Sequence, residues 1–154
     1  MILPLAGVAL KLMKKTKLPL ELINLQDDGF HLLVEVVVFG QIFNAVLDTG
    51  ASKTVFDKTT VENHIEAGEL LISDKLSTGL GTNTMESHTI NLPVLKIGKL
   101  VLTNFEAAVL DLSTICYAYQ NLNLPPVIGV LGGDILQRHK AVINYEKLYL
   151  KLIL

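Results

Sequence analysis

The sequence predicts a mainly β domain, a closed or partly closed β-barrel with one to three short helices. Runs rich in Val, Leu and Ile alternate with glycine-containing turns along most of the chain, a pattern typical of short strands joined by hairpins. The 154 residues leave room for one domain with a sizeable core. Half of the residues are apolar and only 18% are charged, which excludes a disordered chain.

The first predicted hairpin joins residues 30–38 to residues 42–47 through a turn at Gly40, so its second strand ends at Asp48. A short helix is predicted over 57–67, because Asp57 can cap its start and Gly68 follows its end. The later patterns predict a strand over 71–76, a hairpin over 86–97 and 100–110, a helix over 113–121 capped by Ser113, a strand over 127–131, a helix over 133–139 and a hairpin over 141–145 and 148–154.

The N-terminal residues 1–17 are predicted to form an extension that need not belong to the core, with the domain itself spanning 18–154. The apolar stretch 1–10 is too short to span a bilayer, and its lysines follow it, the reverse of a secretory signal. A short first strand or a frayed tail is the alternative. The single Cys116 is compatible with a reducing compartment, so the cytoplasm is the default expectation.

Composition also limits the partners and cofactors. The net charge is −2 and no basic block occurs, so no nucleic-acid partner is expected. The four histidines lie far apart and show no metal-ligand spacing, so no metal site is expected.

Two runs carry the chemistry. Residues 46–52 read Val-Leu-Asp-Thr-Gly-Ala-Ser, in which an apolar strand delivers the carboxylate of Asp48 into a loop that Gly50 allows to turn tightly. Residues 130–134 read Val-Leu-Gly-Gly-Asp, an apolar strand that ends in glycine before a short helix.

Together the two runs resemble the retropepsin-like aspartic proteases, the single-domain members of clan AA, over about residues 28–154. The match is closer to cellular and bacterial members than to viral ones, which often carry an acid where Ser52 stands and an arginine where Gly133 stands. The resemblance implies a barrel that needs no cofactor, with Asp134 bracing the core. It also implies that Asp48 is the catalytic acid and that the loop is supported by Thr49, Gly50, Ala51, Ser52 and Gly132.

A substrate-binding flap is predicted between the two runs. Residues 77–84 are small and polar and contain two glycines, which suits a mobile hairpin tip whose backbone can bond to a peptide. The resemblance implies that Gly79, Leu80, Gly81 and Thr82 form this tip. An ordinary surface turn is the alternative.

The chain contains only one Asp-Thr-Gly or Asp-Ser-Gly. Aspartic proteases use two carboxylates that share one proton, because two like charges so close together cannot both ionise. The resemblance therefore implies an endopeptidase that hydrolyses peptide bonds in a peptide or protein substrate as a homodimer, with one Asp48 from each subunit activating water. The alternatives are a catalytically silent module for dimerisation or peptide binding, and a structural barrel with a chance motif.

The terminal run 148–154 favours β structure, and as a free edge it would invite aggregation. It is therefore expected to be paired. The resemblance allows it to interleave with strands of a second subunit, with residues 18–25 supplying the other strand. The alternative is that this run closes its own barrel and that the subunits meet only around the Asp48 loops.

Overall fold

The computed structural model describes residues 14–66, 68–72 and 87–154. The elements in chain order are β1 (Lys15–Pro19), β2 (Glu21–Asn24), a 3₁₀ turn (Gln26–Asp28), β3 (Phe30–Val38), β4 (Gln41–Leu47), β5 (Val55–Asp57), α1 (Lys58–Glu62), β6 (Leu71–Ile72), β7 (His88–Ile97), β8 (Leu100–Leu110), α2 (Ser113–Asn121), β9 (Val127–Leu131), α3 (Gly133–Arg138), β10 (Val142–Asn144) and β11 (Tyr149–Ile153).

Six strands close into a barrel in the order β3-β4-β9-β5-β8-β7, because β7 pairs back onto β3. The barrel closes where Val37 and Val38 of β3 lie opposite Lys96 and Leu95 of β7. Strands β2 and β6 extend the sheet beside β3 and β7. The predicted mainly β barrel with short helices is confirmed.

The hairpin of β3 and β4 confirms the first sequence prediction and places the Asp-Thr-Gly loop. Phe39 and Gly40 form its turn, and both have positive φ, as two-residue turns that match the strand twist require. Their register sets Leu33 opposite Val46, the last pair before β4 ends at Leu47. Asp48 is therefore the first residue beyond the strand.

The buried side chains form two clusters. The larger one fills the barrel and contains alternate residues of its strands, such as Val34, Val36 and Leu131. The smaller one lies on the other face of β3 and β4, where Leu33 and Val46 pack with Tyr119 of α2. Helix α2 thus covers the outer face of the sheet next to the Asp48 loop.

The chain ends meet in a separate three-stranded sheet in the order β1-β11-β10. Strand β11 pairs with β1 on one side and β10 on the other, so both of its edges are occupied within its own chain, in a sheet separate from the barrel that the alternative above expected it to close. Strand β1 begins at Lys15, three residues before the predicted start of the domain at residue 18, and Thr16 is buried. Residues 1–13 lie outside the described part of the chain.

Two helix predictions differ from the structure in detail. Helix α1 begins after Asp57 as predicted but ends at Glu62, five residues earlier than predicted. Beyond its end, the His64 N–H donates to the Val61 carbonyl at 2.9 Å and the His64 Nδ1 donates to the Thr60 carbonyl at 2.8 Å. Helix α2 has the predicted bounds, but Ser113 does not cap it. The Ser113 N–H instead donates to the carboxylate of Asp111, at 2.9 Å.

The remaining segments agree with the predicted order. Of the strand predicted over 71–76, β6 is present and the residues after Ile72 lie outside the described part of the chain. Strand β9 has the predicted bounds, and α3 ends one residue earlier than expected. No helix in the described residues is long and apolar enough to cross a membrane.

Candidate active site

The Asp48 loop is a tight turn that continues from β4. The Asp48 N–H donates to the Leu131 carbonyl at 3.1 Å, which keeps the start of the loop on the neighbouring strand β9. The Gly50 N–H donates to the Asp48 carboxylate at 2.9 Å, and the Ala51 N–H donates to the Asp48 carbonyl at 3.2 Å. Asp48 is half-buried, whereas Thr49 and Gly50 are exposed. The loop therefore presents one oriented carboxylate at the surface of the chain.

The junction of β9 and α3 supports this loop from behind. The Gly133 N–H donates to the Ala51 carbonyl at 2.8 Å, and the Asp134 N–H donates to the Ser52 carbonyl at 3.1 Å. At Gly132 a side chain would not fit, because an added Cβ would lie 2.5 Å from the carbonyl carbon and oxygen of Lys53. The backbones of Gly132 and Lys53 thus cross in close contact.

Thr54 ties the loop to this junction and was missed by the sequence prediction. Its fully buried hydroxyl accepts from the Gly132 N–H at 3.1 Å and donates to the Asp134 carboxylate at 2.8 Å. The Thr54 N–H also donates to both Asp134 oxygens, at 3.0 Å each, and the Ile135 N–H donates to one of them at 2.9 Å. A threonine four residues after Thr-Gly carries no local signal, because its partners lie 78 and 80 positions away.

The predicted site residues fall into two groups. Asp48, the residues that follow it to Ser52, and Gly132 are brought together at one end of β4 and β9. The predicted flap residues Gly79, Leu80, Gly81 and Thr82 lie outside the described part of the chain.

Two other acids near strand ends have structural partners. Asp57 is buried, and its carboxylate accepts from the Thr60 and Leu112 N–H groups, which ties the start of α1 to the end of β8. Asp111 is exposed, and hydrogen bonds from the Ser113 side chain and N–H lower the pKa of its carboxyl. Within the described ranges, no three His, Cys, Asp or Glu side chains gather as a metal-binding group.

Comparison with known proteins assigns the family. A family model described as aspartyl protease matches residues 34–135, which include the Asp48 loop, the Thr54 hydroxyl and the Gly132 junction. The chain belongs to the aspartyl protease family. Its fold is the retropepsin-like one, closed by the pairing of β3 with β7 described above.

Solved structures support the fold of this aspartyl protease. A retropepsin-like aspartic protease from Rickettsia conorii is 22% identical, with a TM-score of 0.54, and the match covers 92% of this chain and 93% of the other. The EIAV protease in complex with the inhibitor HBY-793 is also 22% identical, with a TM-score of 0.53, and covers 73% of this chain and 90% of its own. No curated protein sequence matches the chain.

Proposed function

We propose that the protein is an aspartic endopeptidase that acts as a homodimer on peptide or protein substrates. The observation that carries the proposal is the Asp48 carboxylate, which the Gly50 N–H holds at 2.9 Å. The β9–α3 junction supports the Asp48 loop through two backbone hydrogen bonds and the close packing of Gly132. Such preorganisation keeps a reacting group in place before substrate arrives. Membership of the aspartyl protease family supports the same chemistry.

The homodimer follows from the count of catalytic loops. Each chain supplies one Asp-Thr-Gly loop, and the reaction needs two carboxylates of which one is protonated. In the proposed mechanism, the ionised Asp48 takes a proton from water while the protonated Asp48 of the second subunit polarises the peptide carbonyl. Thr49, exposed at the loop, is proposed to bond across to the partner loop. No covalent intermediate or cofactor takes part.

The proposed role of the segment 79–82 is to cover the bound peptide as a flap. Its backbone groups would bond to the substrate, because glycines leave them accessible. The cytoplasm is the proposed compartment, in keeping with the single cysteine of the chain.

The decisive variant is Asp48→Asn. Its amide oxygen can still accept from the Gly50 N–H, so the fold should be retained. Both carboxylates of the dyad are lost, because the two subunits carry the same substitution. We expect the rate of peptide cleavage to fall by about 10²–10⁴-fold or more. The matched control is Asp111→Asn, which changes an exposed acid whose carboxylate accepts from the Ser113 N–H, and should keep full activity.

The readouts are cleavage of a peptide library, binding of a transition-state-mimicking peptide inhibitor and sedimentation of the protein. Cleavage by wild type and by Asp111→Asn, its loss in Asp48→Asn, and a dimer in sedimentation would support the proposal. Full activity of Asp48→Asn would contradict it. Inhibitor binding without any cleavage by wild type would favour the catalytically silent module.

A further inference from the structure

His31 lies at the same end of the β3–β4 pair as Asp48. The register of the two antiparallel strands ends at Leu33 opposite Val46. Residues two apart on a strand point to the same face, and opposite residues of a pair share that face. His31 precedes Leu33 by two positions, and Asp48 follows Val46 by two. Continued by two residues on each strand, the same register sets His31 opposite Asp48, on one face and immediately past the last strand pair.

This face of the sheet is apolar and closely covered up to the loop. Leu33 is 1% exposed and Val46 5%, under the side chain of Tyr119 from α2. Tyr119 is buried, whereas Tyr117 on the same helix is 65% exposed. Of these two rings, only that of Tyr119 faces the sheet. His31 stands at the edge of the cover and is half-buried. It is the polar side chain of β3 at the border between the apolar face and the Asp48 loop.

Tyr119 fixes the orientation of this histidine. Its hydroxyl lies 2.7 Å from His31 Nδ1, and the two rings stack with centroids 5.9 Å apart. Burial raises the pKa of Tyr119 to about 12, so the hydroxyl keeps its proton under ordinary conditions. In the part of the chain that the structure describes, the hydroxyl has no other hydrogen-bond partner than His31.

These contacts favour one assignment of the proton on the His31 ring. A neutral phenol hydroxyl donates more strongly than it accepts, and Nδ1 is its acceptor within reach among the described residues, so we assign the proton of this bond to Tyr119. The proton of the neutral imidazole then lies on Nε2. If the ring takes up a second proton, Nε2 still carries a hydrogen. In both states the nitrogen not held by Tyr119 is a donor.

We propose that His31 is a substrate-binding residue of the protease and that its Nε2–H donates to an oxygen of the peptide bound at Asp48. Tyr119 is its positioning residue. The proposal rests on the function proposed above. Because the nitrogen offers only a donor, the ligand group is a carbonyl, amide or carboxylate oxygen, on the substrate backbone or on one of its side chains.

The test compares variants that change this donor. His31→Leu removes the donor, and His31→Gln restores an N–H donor. Tyr119→Phe keeps the buried ring but removes the hydroxyl that bonds to His31 Nδ1, so either nitrogen of His31 can carry the proton. Tyr117→Phe is the matched control, since it removes an exposed hydroxyl from the same helix. The substrates are peptides in pairs that differ only by Gln or Glu against Leu, at each position around the cleaved bond, and kcat/KM is measured for each.

We expect His31→Leu to lower kcat/KM by about two- to tenfold, the value of one neutral hydrogen bond. A loss confined to the Gln and Glu peptides at one position assigns the acceptor to a side chain, and an equal loss for all peptides assigns it to the backbone. In both cases His31→Gln should recover most of the activity. Tyr119→Phe should lose part of it, and Tyr117→Phe none.

The inference is overturned if wild type cleaves the library and His31→Leu changes neither the rate nor the preference. It is also overturned if the loss is not recovered by His31→Gln. Should His31→Leu no longer unfold cooperatively, Tyr119→Phe carries the test, and a variant with neither its rate nor its preference changed refutes the inference. If wild type cleaves no peptide at all, the proposed protease function fails first.

Discussion

Gly132 and Gly133 offer a matched pair of substitutions behind the Asp48 loop. Gly132 has φ of −108°, which any residue can adopt, so an alanine there is limited by space alone. Its Cβ would lie 2.5 Å from the carbonyl carbon and oxygen of Lys53 and 2.9 Å from the Ala51 oxygen. At Gly133 the nearest atom to an added Cβ would be the Ala51 oxygen at 3.4 Å, an ordinary contact.

The cost at Gly132 follows from these distances. Ordinary carbon contacts are about 3.5 Å, so the two segments must separate by about 1 Å. Overpacking of this kind costs about 1–3 kcal/mol. The movement would also break the bonds from the Gly133 and Asp134 N–H groups to the loop, at 2.8 and 3.1 Å. Each of these two hydrogen bonds contributes about 0.5–1.5 kcal/mol. Together with the overpacking, their loss should lower the unfolding free energy by about 2–6 kcal/mol.

The assay is urea unfolding of Gly132→Ala and Gly133→Ala beside wild type, followed by peptide cleavage. Gly133→Ala should range from equal in stability to about 1 kcal/mol more stable, because alanine is the better helix former at the start of α3. A loop displaced by 1 Å can lose about 10²-fold in rate, so Gly132→Ala should also be nearly inactive where it remains folded.

Equal stability and activity of the two variants would refute the reasoning, since it would mean that the β9–α3 junction does not press on the Asp48 loop. A destabilised but fully active Gly132→Ala would keep the packing argument and refute the link from this junction to the position of Asp48.

Two further predictions concern buried hydroxyls. Thr54→Val leaves the Gly132 N–H without an acceptor and should lower the unfolding free energy by about 1–3 kcal/mol. Thr54→Ser keeps the hydroxyl and should lower it by about 1 kcal/mol or less. Equal unfolding midpoints for the two variants would contradict this prediction. Burial raises the pKa of Tyr119 from 10.0 to about 12, so the folded state favours the neutral hydroxyl. The stability that this hydroxyl contributes is complete below pH 10. As the pH rises toward 12, the unfolding free energy should fall by about 2–3 kcal/mol. The gap in unfolding free energy between wild type and Tyr119→Phe should therefore become less favourable to wild type from about pH 8 to about pH 11, and a constant gap would rule this out.

The sequence by itself determined the features that depend on neighbours along the chain. The turn at Gly40 and the alternation of Val and Leu gave the β3–β4 hairpin, and its length put Asp48 at the end of a strand. The bounds of α2 and β9 followed from the same local patterns. Turn residues and hydrophobic period act over a few residues, so they can be recognised without knowledge of the fold.

The tertiary structure alone decided which distant groups meet at the Asp48 loop. The Thr54 hydroxyl lies between Gly132 and Asp134, and Tyr119 meets His31 across 88 positions of the chain. A buried hydroxyl must find a partner, but the sequence does not say which, because the partner depends on how β4, β9 and α2 pack. The predicted cap of α2 was also wrong over a short range. Ser113 does not cap the helix, and its N–H donates to the carboxylate of Asp111, two residues earlier. Local sequence patterns therefore predicted the strands and helices, whereas the packing of distant segments determined the hydrogen bonds around the Asp48 loop.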